Sequence, residues 1–190
     1  MSLYQLTIEQ GTAFGDRYNR GLLKGLPNDD TSADMYDLTL SLCEDRGLVS
    51  YEVSNYAHEG YESIHNLIYW RYGDYIGIGP GAHGRLTIDG KKYATETVLS
   101  PEAWLKKVEC DGSGESNSVE LTDQQQAAEF VMMGLRLKEG INYQRFKNLS
   151  GSAFSKTKLN FLKDLNLIKE KDGYIACLLY TSDAADDSLR

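Results

Sequence analysis

The sequence has few of the features that hold a chain in a membrane or cross-link it. No apolar run approaches the roughly 18 residues that a membrane-spanning helix needs, and residues 1–6 show no basic stretch before an apolar one. We therefore predict neither a transmembrane segment nor a signal peptide. The three cysteines, Cys43, Cys110 and Cys177, are too widely spaced for a disulfide framework or a CxxC metal site. This cysteine usage is typical of a reducing, cytoplasmic setting.

Positive charge is also scarce. The 190 residues carry 28 acidic and 20 basic side chains, and the net charge is −8. Such a balance opposes general attraction to nucleic-acid phosphates or to anionic membranes. The length is sufficient for one full domain or for two small ones with a buried core.

Both ends of the chain are unusual for a natural domain. Tyr4, Leu6 and Ile8 share one face of a predicted strand that begins without a polar lead-in. Residues 177–190 break the preceding pattern and resemble the in-frame translation of a sequencing-library adapter. We expect this tail to be non-native. A disordered acidic C-terminus is the alternative.

The first part of the chain predicts a βαβ unit. After a Gly- and Asn-rich loop over 11–30, Thr31 or Ser32 can cap a helix that runs to about residue 46. An apolar stripe lies along this helix, formed by Met35, Leu38, Leu42 and Cys43. Gly47 stands at its end, and a strand is predicted over 49–53. Strand, helix and strand in this order favour a parallel sheet.

Two further signals follow a polar, aromatic-rich loop. Residues 75–79 predict a third strand that ends in glycines, and Asp89-Gly90 between 85–88 and 91–95 predicts a two-residue hairpin.

From residue 100 onward the pattern is helical. We predict a helix over 101–108, a flexible linker over 111–118, and a helix that Thr122 and Gln125 begin as a capping box and Gly140 ends. Helices over 142–148 and 152–165 and a hairpin over 167–175 complete the second half. The order helix, helix, helix, hairpin is a winged-helix arrangement.

The chemically richest stretch is 51–84. It contains all three histidines, His58, His65 and His83, together with one Trp and six Tyr. Histidine ligates transition metals and haem iron, and aromatic rings stack on flat macrocycles. Glycines at the end of the predicted strand allow close approach of a ligand to the backbone. From composition alone, packing aromatics, a tight glycine turn and hydrogen-bonded histidines explain the stretch more readily.

Three motifs in this stretch carry a family resemblance. They are the run YEVSNYA at 51–57, HNxxYW at 65–70 and RYGDYIGIGPGAHG at 71–84. They resemble the HemW proteins, relatives of oxygen-independent coproporphyrinogen III oxidase (HemN) in the radical SAM superfamily, and the resemblance extends over residues 1 to about 176. The implied fold class is α/β: the C-terminal part of a radical SAM partial (β/α) barrel, followed by a small winged-helix-like α+β domain. The corresponding divisions are barrel strands and helices at 1–99, a helix and linker at 100–120, the C-terminal domain at 121–176 and the tail at 177–190.

The resemblance also implies a function. HemW-type proteins are haem-binding chaperones that deliver haem to respiratory proteins, and intact members hold a 4Fe-4S cluster on a CxxxCxxC motif and bind S-adenosylmethionine. That motif is missing here, and isolated cysteines cannot hold such a cluster. We therefore expect this chain to be a C-terminal fragment in which Met1 is an internal methionine or a fragment start, and which is inactive as an enzyme alone.

The cofactor-binding positions that the resemblance implies are His65, Asn66, Tyr69, Trp70, Gly77, Gly79, Gly81, Ala82 and His83. His65 is the candidate haem iron ligand, with Tyr69 and Trp70 shaping its surroundings, and His83 is a candidate second contact to the ligand or to a haem propionate. The alternatives are structural: Asn66 caps a turn, Asp74 orders a loop, and Arg71 pairs with a surface acid.

Two rival functions belong to other classes. One is an anaerobic porphyrinogen oxidase, against which the HNxxYW motif argues. The other is a nucleic-acid-binding winged helix, since 144–171 holds seven basic side chains against two acidic ones. These bases do not form an evident stripe, so we predict that nucleic acid is not a partner.

Overall fold

A computed structural model describes residues 1–4 and 8–178. Leu6 of the predicted first strand lies outside the described residues, as does the tail beyond residue 178. The chain divides into two compact units, Met1–Glu62 and a second that begins at Ser63. Within the described ranges, no helix is long and apolar enough to cross a membrane.

The first unit contains helices α1 (Ala13–Asn19) and α2 (Asp29–Glu44) and strands β1 (Val49–Glu52) and β2 (Asn55–Ala57). The prediction of a continuous loop over 11–30 is wrong, because Thr12 caps α1 by accepting a hydrogen bond from the Gly15 amide. Asn28, rather than Thr31 or Ser32, caps α2: its side chain accepts from the amide of Thr31.

Strand pairing in the first unit is antiparallel. Val49 pairs with Ala57 across β1 and β2, and Ser2 forms an antiparallel bridge with Asn55. Residues 5–7 of the strand expected to pair in parallel with 49–53 lie outside the described residues, and the pairing that the structure describes is antiparallel. The reason is the short connection after Glu52, whose buried carboxylate accepts hydrogen bonds from the Ser54 amide and the Asn55 side chain. So short a connection can join only antiparallel strands.

The buried face of α2 differs from the predicted stripe. Leu40 and Cys43 pack with Tyr56 in a small core, whereas Met35, Leu38 and Leu42 remain exposed. Residues 40 and 43 are three positions apart, so they share a helix face. The predicted stripe lies on a neighbouring side of the helix, and only its member Cys43 is buried.

The second unit begins with helix α3 (Ile64–Trp70) and the hairpin strands β3 (His83–Ile88) and β4 (Lys91–Thr97). The hairpin prediction is confirmed, since Asp89 and Gly90 both adopt positive φ angles of 50° and 78°. Residues 75–79 do not form the predicted strand. Only Tyr75 bridges the sheet, through two backbone hydrogen bonds with Arg85.

Helix α4 (Pro101–Asp111) follows, and strand β5 (Glu115–Glu120) occupies the second half of the predicted linker. β5 pairs antiparallel with β4 and forms the exposed edge of a three-stranded sheet in the order β3–β4–β5. Its polar composition favours a loop, but the free edge of β4 supplies the backbone partners that make it a strand.

The remaining elements are α5 (Asp123–Gly134), β6 (Ile141–Asn142), α6 (Tyr143–Ser150), α7 (Lys156–Asp164), β7 (Ile168–Lys171) and β8 (Tyr174–Cys177). The predicted order helix, helix, helix, hairpin is confirmed, with β6 added to a sheet of order β6–β8–β7. The Thr122 capping box is also confirmed. α5 ends before Gly140 because the chain continues in tight turns, such as that closed by the Leu137 amide on the Gly134 carbonyl.

The hydrophobic core of the C-terminal helices and sheet lies among the elements α5 to β8, but one of its buried residues comes from an earlier segment. Its buried members are Tyr72, Phe130, Ile141, Ile168 and Ile175. Tyr72 precedes the β3–β4 hairpin, so the segment after α3 contributes a core residue to the C-terminal helices and sheet.

Candidate functional site

Helix α3 carries the whole HNxxYW motif. Ser63 caps the helix by accepting a hydrogen bond from the Asn66 amide at 3.4 Å. The predicted loop here is wrong, because this cap and the chain turn after Trp70 define a helix of seven residues. Asn66 is therefore a helical residue and not the cap.

The helix divides the motif between two faces. Residues four positions apart lie on the same face, so His65 groups with Tyr69, and Asn66 with Trp70. The ring of Tyr69 meets that of His65 edge-on, with 4.8 Å between centroids and 68° between planes. The centroid of the Tyr69 ring also lies 4.1 Å from the centroid of the Tyr75 ring. These three rings form a continuous aromatic row, which we call the His65 face.

Among the three histidines, the ring nitrogens of His65 are the least engaged. His65 is exposed, and across residues 1–4 and 8–178 neither ring nitrogen makes a hydrogen bond or an ion pair. By contrast, Nδ1 of His58 lies 2.8 Å from the Gly47 carbonyl oxygen. Nδ1 of His83 lies 3.9 Å from a Glu96 carboxylate oxygen. His65 is thus free to offer an imidazole nitrogen to a ligand.

The opposite face of α3, which carries Trp70, packs against the rest of the second unit. The guanidinium of Arg136 lies over the Trp70 ring, 4.3 Å from its centroid. The indole Nε1 of Trp70 is buried and has no hydrogen-bond partner among the described residues. Next to it, Arg71 donates two hydrogen bonds to Glu139 at 2.8 and 2.7 Å, as the structural alternative for Arg71 predicted.

Asp74 orders the segment between α3 and β3. Its carboxylate accepts hydrogen bonds from the amide and hydroxyl of Thr87 at 2.7 and 3.0 Å and from Nζ of Lys92 at 2.8 Å. Burial alone would raise the pKa of Asp74, but the hydrogen bonds from Lys92 and Thr87 outweigh it and leave the pKa below its ordinary value. The loop-ordering interpretation of Asp74 is confirmed.

A second ion pair joins the hairpin to α5. Arg85 donates to both carboxylate oxygens of Glu129 at 2.9 and 2.8 Å, and only 21% and 19% of the two side chains are exposed. Burial acts to raise the pKa of Glu129, but the hydrogen bonds and charge of Arg85 hold it below its usual range. Sequence reasoning did not identify this pair, because its members are 44 residues apart.

The glycine-rich loop packs closely on its own chain. A Cβ atom at Gly77 would lie 2.5 Å from the His83 carbonyl oxygen, and one at Gly84 would lie 2.5 Å from Oγ1 of Thr95. These two glycines are therefore needed for backbone packing. Gly79 differs, since it has a φ of +101° and open space where a Cβ would point.

Thr97 of β4 holds the tip of this loop. Its hydroxyl donates to the Gly79 carbonyl at 2.6 Å and accepts from the Ala82 amide at 2.8 Å. The Gly81 amide donates to the Val98 carbonyl at 2.9 Å. The amides of Gly81 and Ala82 are thus used internally and do not point to a ligand as the sequence suggested, whereas the His83 side chain remains exposed.

The described residues do not fit an iron–sulfur cluster. No group of three or more potential metal-ligating side chains comes together among them. Cys43 is buried, Cys110 is exposed and Cys177 is half-buried, and none of these three described cysteines is part of a disulfide. A cluster needs several thiolates at short spacing, so none of the chemistry of this chain can be assigned to one.

Comparison with known proteins connects these features to a family. Residues 121–177 match the HemN C-terminal domain family. The chain is 40% identical over 157 residues to radical S-adenosyl methionine domain-containing protein 1, mitochondrial, of Danio rerio, which covers 80% of this chain and 35% of that protein. It is 41% identical over 140 residues to heme chaperone HemW of Escherichia coli, covering 73% of this chain and 34% of that protein.

A solved structure shows a similar fold. Coproporphyrinogen III oxidase (HemN) from Escherichia coli, described as a radical SAM enzyme, superposes with a TM-score of 0.57 at 15% identity, over 80% of this chain and 38% of that one. The chain spans about a third of the length of the curated relatives named above. These matches show that residues 121–177 form a HemN C-terminal domain, and that the chain is similar to part of the HemW and radical S-adenosyl methionine domain-containing proteins.

Proposed function

We propose that this chain carries a haem-binding surface of a HemW-like haem chaperone, with His65 as the ligand of the haem iron. The observation that carries the proposal is the exposed imidazole of His65, whose ring nitrogens have no partner among the described residues. A neutral imidazole nitrogen is a common axial ligand of haem iron.

The surroundings of His65 fit a flat apolar ligand. The rings of Tyr69 and Tyr75 belong to the His65 face, and Ile64 and Ile68 on helix α3 are both exposed. Aromatic and aliphatic side chains of this kind gain free energy when a macrocycle covers them. An open surface also suits a carrier, because a cargo held on it can pass to an acceptor without a lid opening.

The glycine loop would supply a secondary contact. His83 is exposed at the start of β3, and Gly79 leaves open space beside the loop tip. We propose that His83, when protonated, approaches a carboxylate of the cargo. Gly77, Gly81 and Ala82 would then act indirectly, by holding the loop in shape.

The relatives' names support a wider proposal, which goes beyond the described residues. Proteins named heme chaperone HemW, including those of Bacillus subtilis and Lactococcus lactis, are 34% and 37% identical to this chain. We propose that a longer protein containing this region passes haem to respiratory proteins and binds a 4Fe-4S cluster and S-adenosylmethionine elsewhere. A cytoplasmic location is part of the same proposal.

Haem titration tests the role of His65. In the wild-type chain, added hemin should produce a shifted Soret band that saturates at one equivalent. His65→Ala should weaken the affinity at least tenfold, because the iron loses its ligand, and free imidazole should restore the shifted band. His83→Ala removes only the proposed secondary contact and should change affinity by about threefold or less, the size expected for one exposed charge contact.

The same titration can refute the proposal. If His65→Ala retains the wild-type Soret position and affinity, His65 is not the ligand. If the loss is equal in both variants, the aromatic row beside His65 does not define the site.

A further inference from the structure

A cleft of about 680 Å³ lies in the second unit, on the side of α3 that carries Trp70 rather than His65. Its charged lining residues are Arg71, Lys138, Arg145, Lys169 and Lys171, with Glu139 and Asp172. Arg71 and Glu139 form an ion pair with each other, so the net positive charge of the lining comes from the other four cations against Asp172, although the chain as a whole has a net charge of −8. A positive cleft on an acidic protein is a local feature that overall composition does not explain.

The rest of the lining is apolar and aromatic. Trp70, Phe130, Leu137 and Ala176 contribute to it. Trp70 also brings a buried indole N–H that has no hydrogen-bond partner within the described ranges. The apolar lining offers surface that the body of a ligand can cover.

Arg145 shows that the positive charge is incompletely compensated. Its guanidinium lies 4.9 Å from the centre of the Phe130 ring and donates to the Tyr72 carbonyl at 3.1 Å. Partial burial lowers the pKa of Arg145, because the charged form is less well solvated there than in water. A bound anion would offset this loss of solvation.

Two of the lysines are arranged to act together. Lys169 and Lys171 are two positions apart on β7, so both side chains lie on the same face of the strand. Both are exposed, and they can adjust to a second acid group of a ligand.

We propose that this cleft binds a small organic anion with an apolar body and at least one oxyanion group. Its volume is in the range of small-molecule sites, and its apolar floor with a cationic rim matches such a ligand. This site is distinct from the His65 face and does not depend on the proposed haem function.

A pair of dyes tests the proposal on the full chain. Anilinonaphthalene sulfonate carries an anionic group, and N-phenyl-1-naphthylamine is the same aromatic body without it. The sulfonate should bind with one-to-one stoichiometry and at least tenfold more tightly than the neutral amine, and its affinity should fall as salt is added. Equal affinity for the two dyes would overturn the proposal.

Charge variants locate the binding. The double variant Lys169→Gln with Lys171→Gln should weaken sulfonate binding about fivefold, given typical energies of exposed charge pairs. Lys156→Gln with Lys158→Gln removes the same charge from exposed positions on α7, which do not line the cleft, and should leave affinity unchanged. Equal effects of the two double variants would refute the assigned site.

Tryptophan fluorescence gives a second readout that needs no lysine variant. The chain has two tryptophans, so Trp104→Phe leaves Trp70 as the only one. The bound dye should quench Trp70 emission with the same affinity that dye fluorescence reports, and no quenching would contradict the site. Decanedioate and decyl phosphate should then displace the dye, the stronger competitor showing whether carboxylate or phosphate is preferred. Displacement by neither would count against the proposal.

Discussion

The ion pair between Arg85 and Glu129 should make a measurable contribution to the stability of the second unit. Glu129→Gln keeps the size of the side chain but removes its charge and leaves the Arg85 guanidinium without a counterion. Removing one partner of a buried pair costs roughly 3–5 kcal/mol. This pair is about one-fifth exposed, and the amide oxygen can still accept one hydrogen bond. We therefore expect a loss of about 2 kcal/mol in the free energy of unfolding.

Urea unfolding followed by tryptophan emission measures this loss. Trp70 and Trp104 both lie in the second unit, so their signal reports on the part of the chain that contains the pair. Glu120→Gln is the matched control, because Glu120 pairs with Lys91 at 2.9 Å with about half of each side chain exposed. It should lose less stability than Glu129→Gln, because an exposed pair contributes little.

The difference between wild type and Glu129→Gln should also depend on pH. The pKa of Glu129 is lowered in the folded chain, so the carboxylate contributes stability above its unfolded pKa. That contribution disappears as the pH falls through the folded pKa. The stability difference should therefore be constant near neutral pH and shrink in acid. A loss no larger than that of Glu120→Gln, or a difference unchanged in acid, would refute the reasoning.

Two further predictions concern packing and capping. Gly84→Ala should destabilise by about 1–3 kcal/mol in the same urea assay, because the added Cβ would lie 2.5 Å from Oγ1 of Thr95 and 3.0 Å from the Gly77 amide nitrogen. A stability within 0.5 kcal/mol of wild type, on the order of a neutral surface change, would show that the loop relaxes freely. Thr122→Ala removes the α5 cap and should lose about 1 kcal/mol, whereas Thr122→Ser should be close to wild type. Equal losses in both would contradict the capping role.

The elements that sequence reasoning predicted correctly depend on local chemistry. The Thr122 capping box, the Asp89-Gly90 hairpin and the order of the C-terminal helices each follow from residues a few positions apart. β5 was missed because its partner strand, rather than its own composition, makes it a strand. β2 was missed because residues 55–57 were placed in the polar loop after the predicted strand 49–53, whereas they pair back antiparallel on β1.

In the candidate site, too, only the features that depend on nearby residues could be predicted from the sequence. The His65, Tyr69 spacing places both rings on one face as soon as α3 is known to be a helix. Which histidine is free could not be predicted, because His58 is engaged by the Gly47 carbonyl, 11 residues away. The cleft beside Trp70 is formed by side chains from positions 70 to 176, and only the folded chain brings them together.

The position of Tyr72 affects where the HemN C-terminal domain can be separated from the rest of the chain. Its ring is part of the core beneath α5 to β8, and its carbonyl accepts from Lys92 at 3.3 Å and from Arg145 at 3.1 Å. Yet Tyr72 lies outside the region 121–177 that defines the HemN C-terminal domain by sequence. The domain that is recognised by sequence therefore has different boundaries from the part of the chain that shares this hydrophobic core. A gene fusion that moved 121–177 alone would leave a hole in the core, so the segment from α3 to β4 has to be transferred with it.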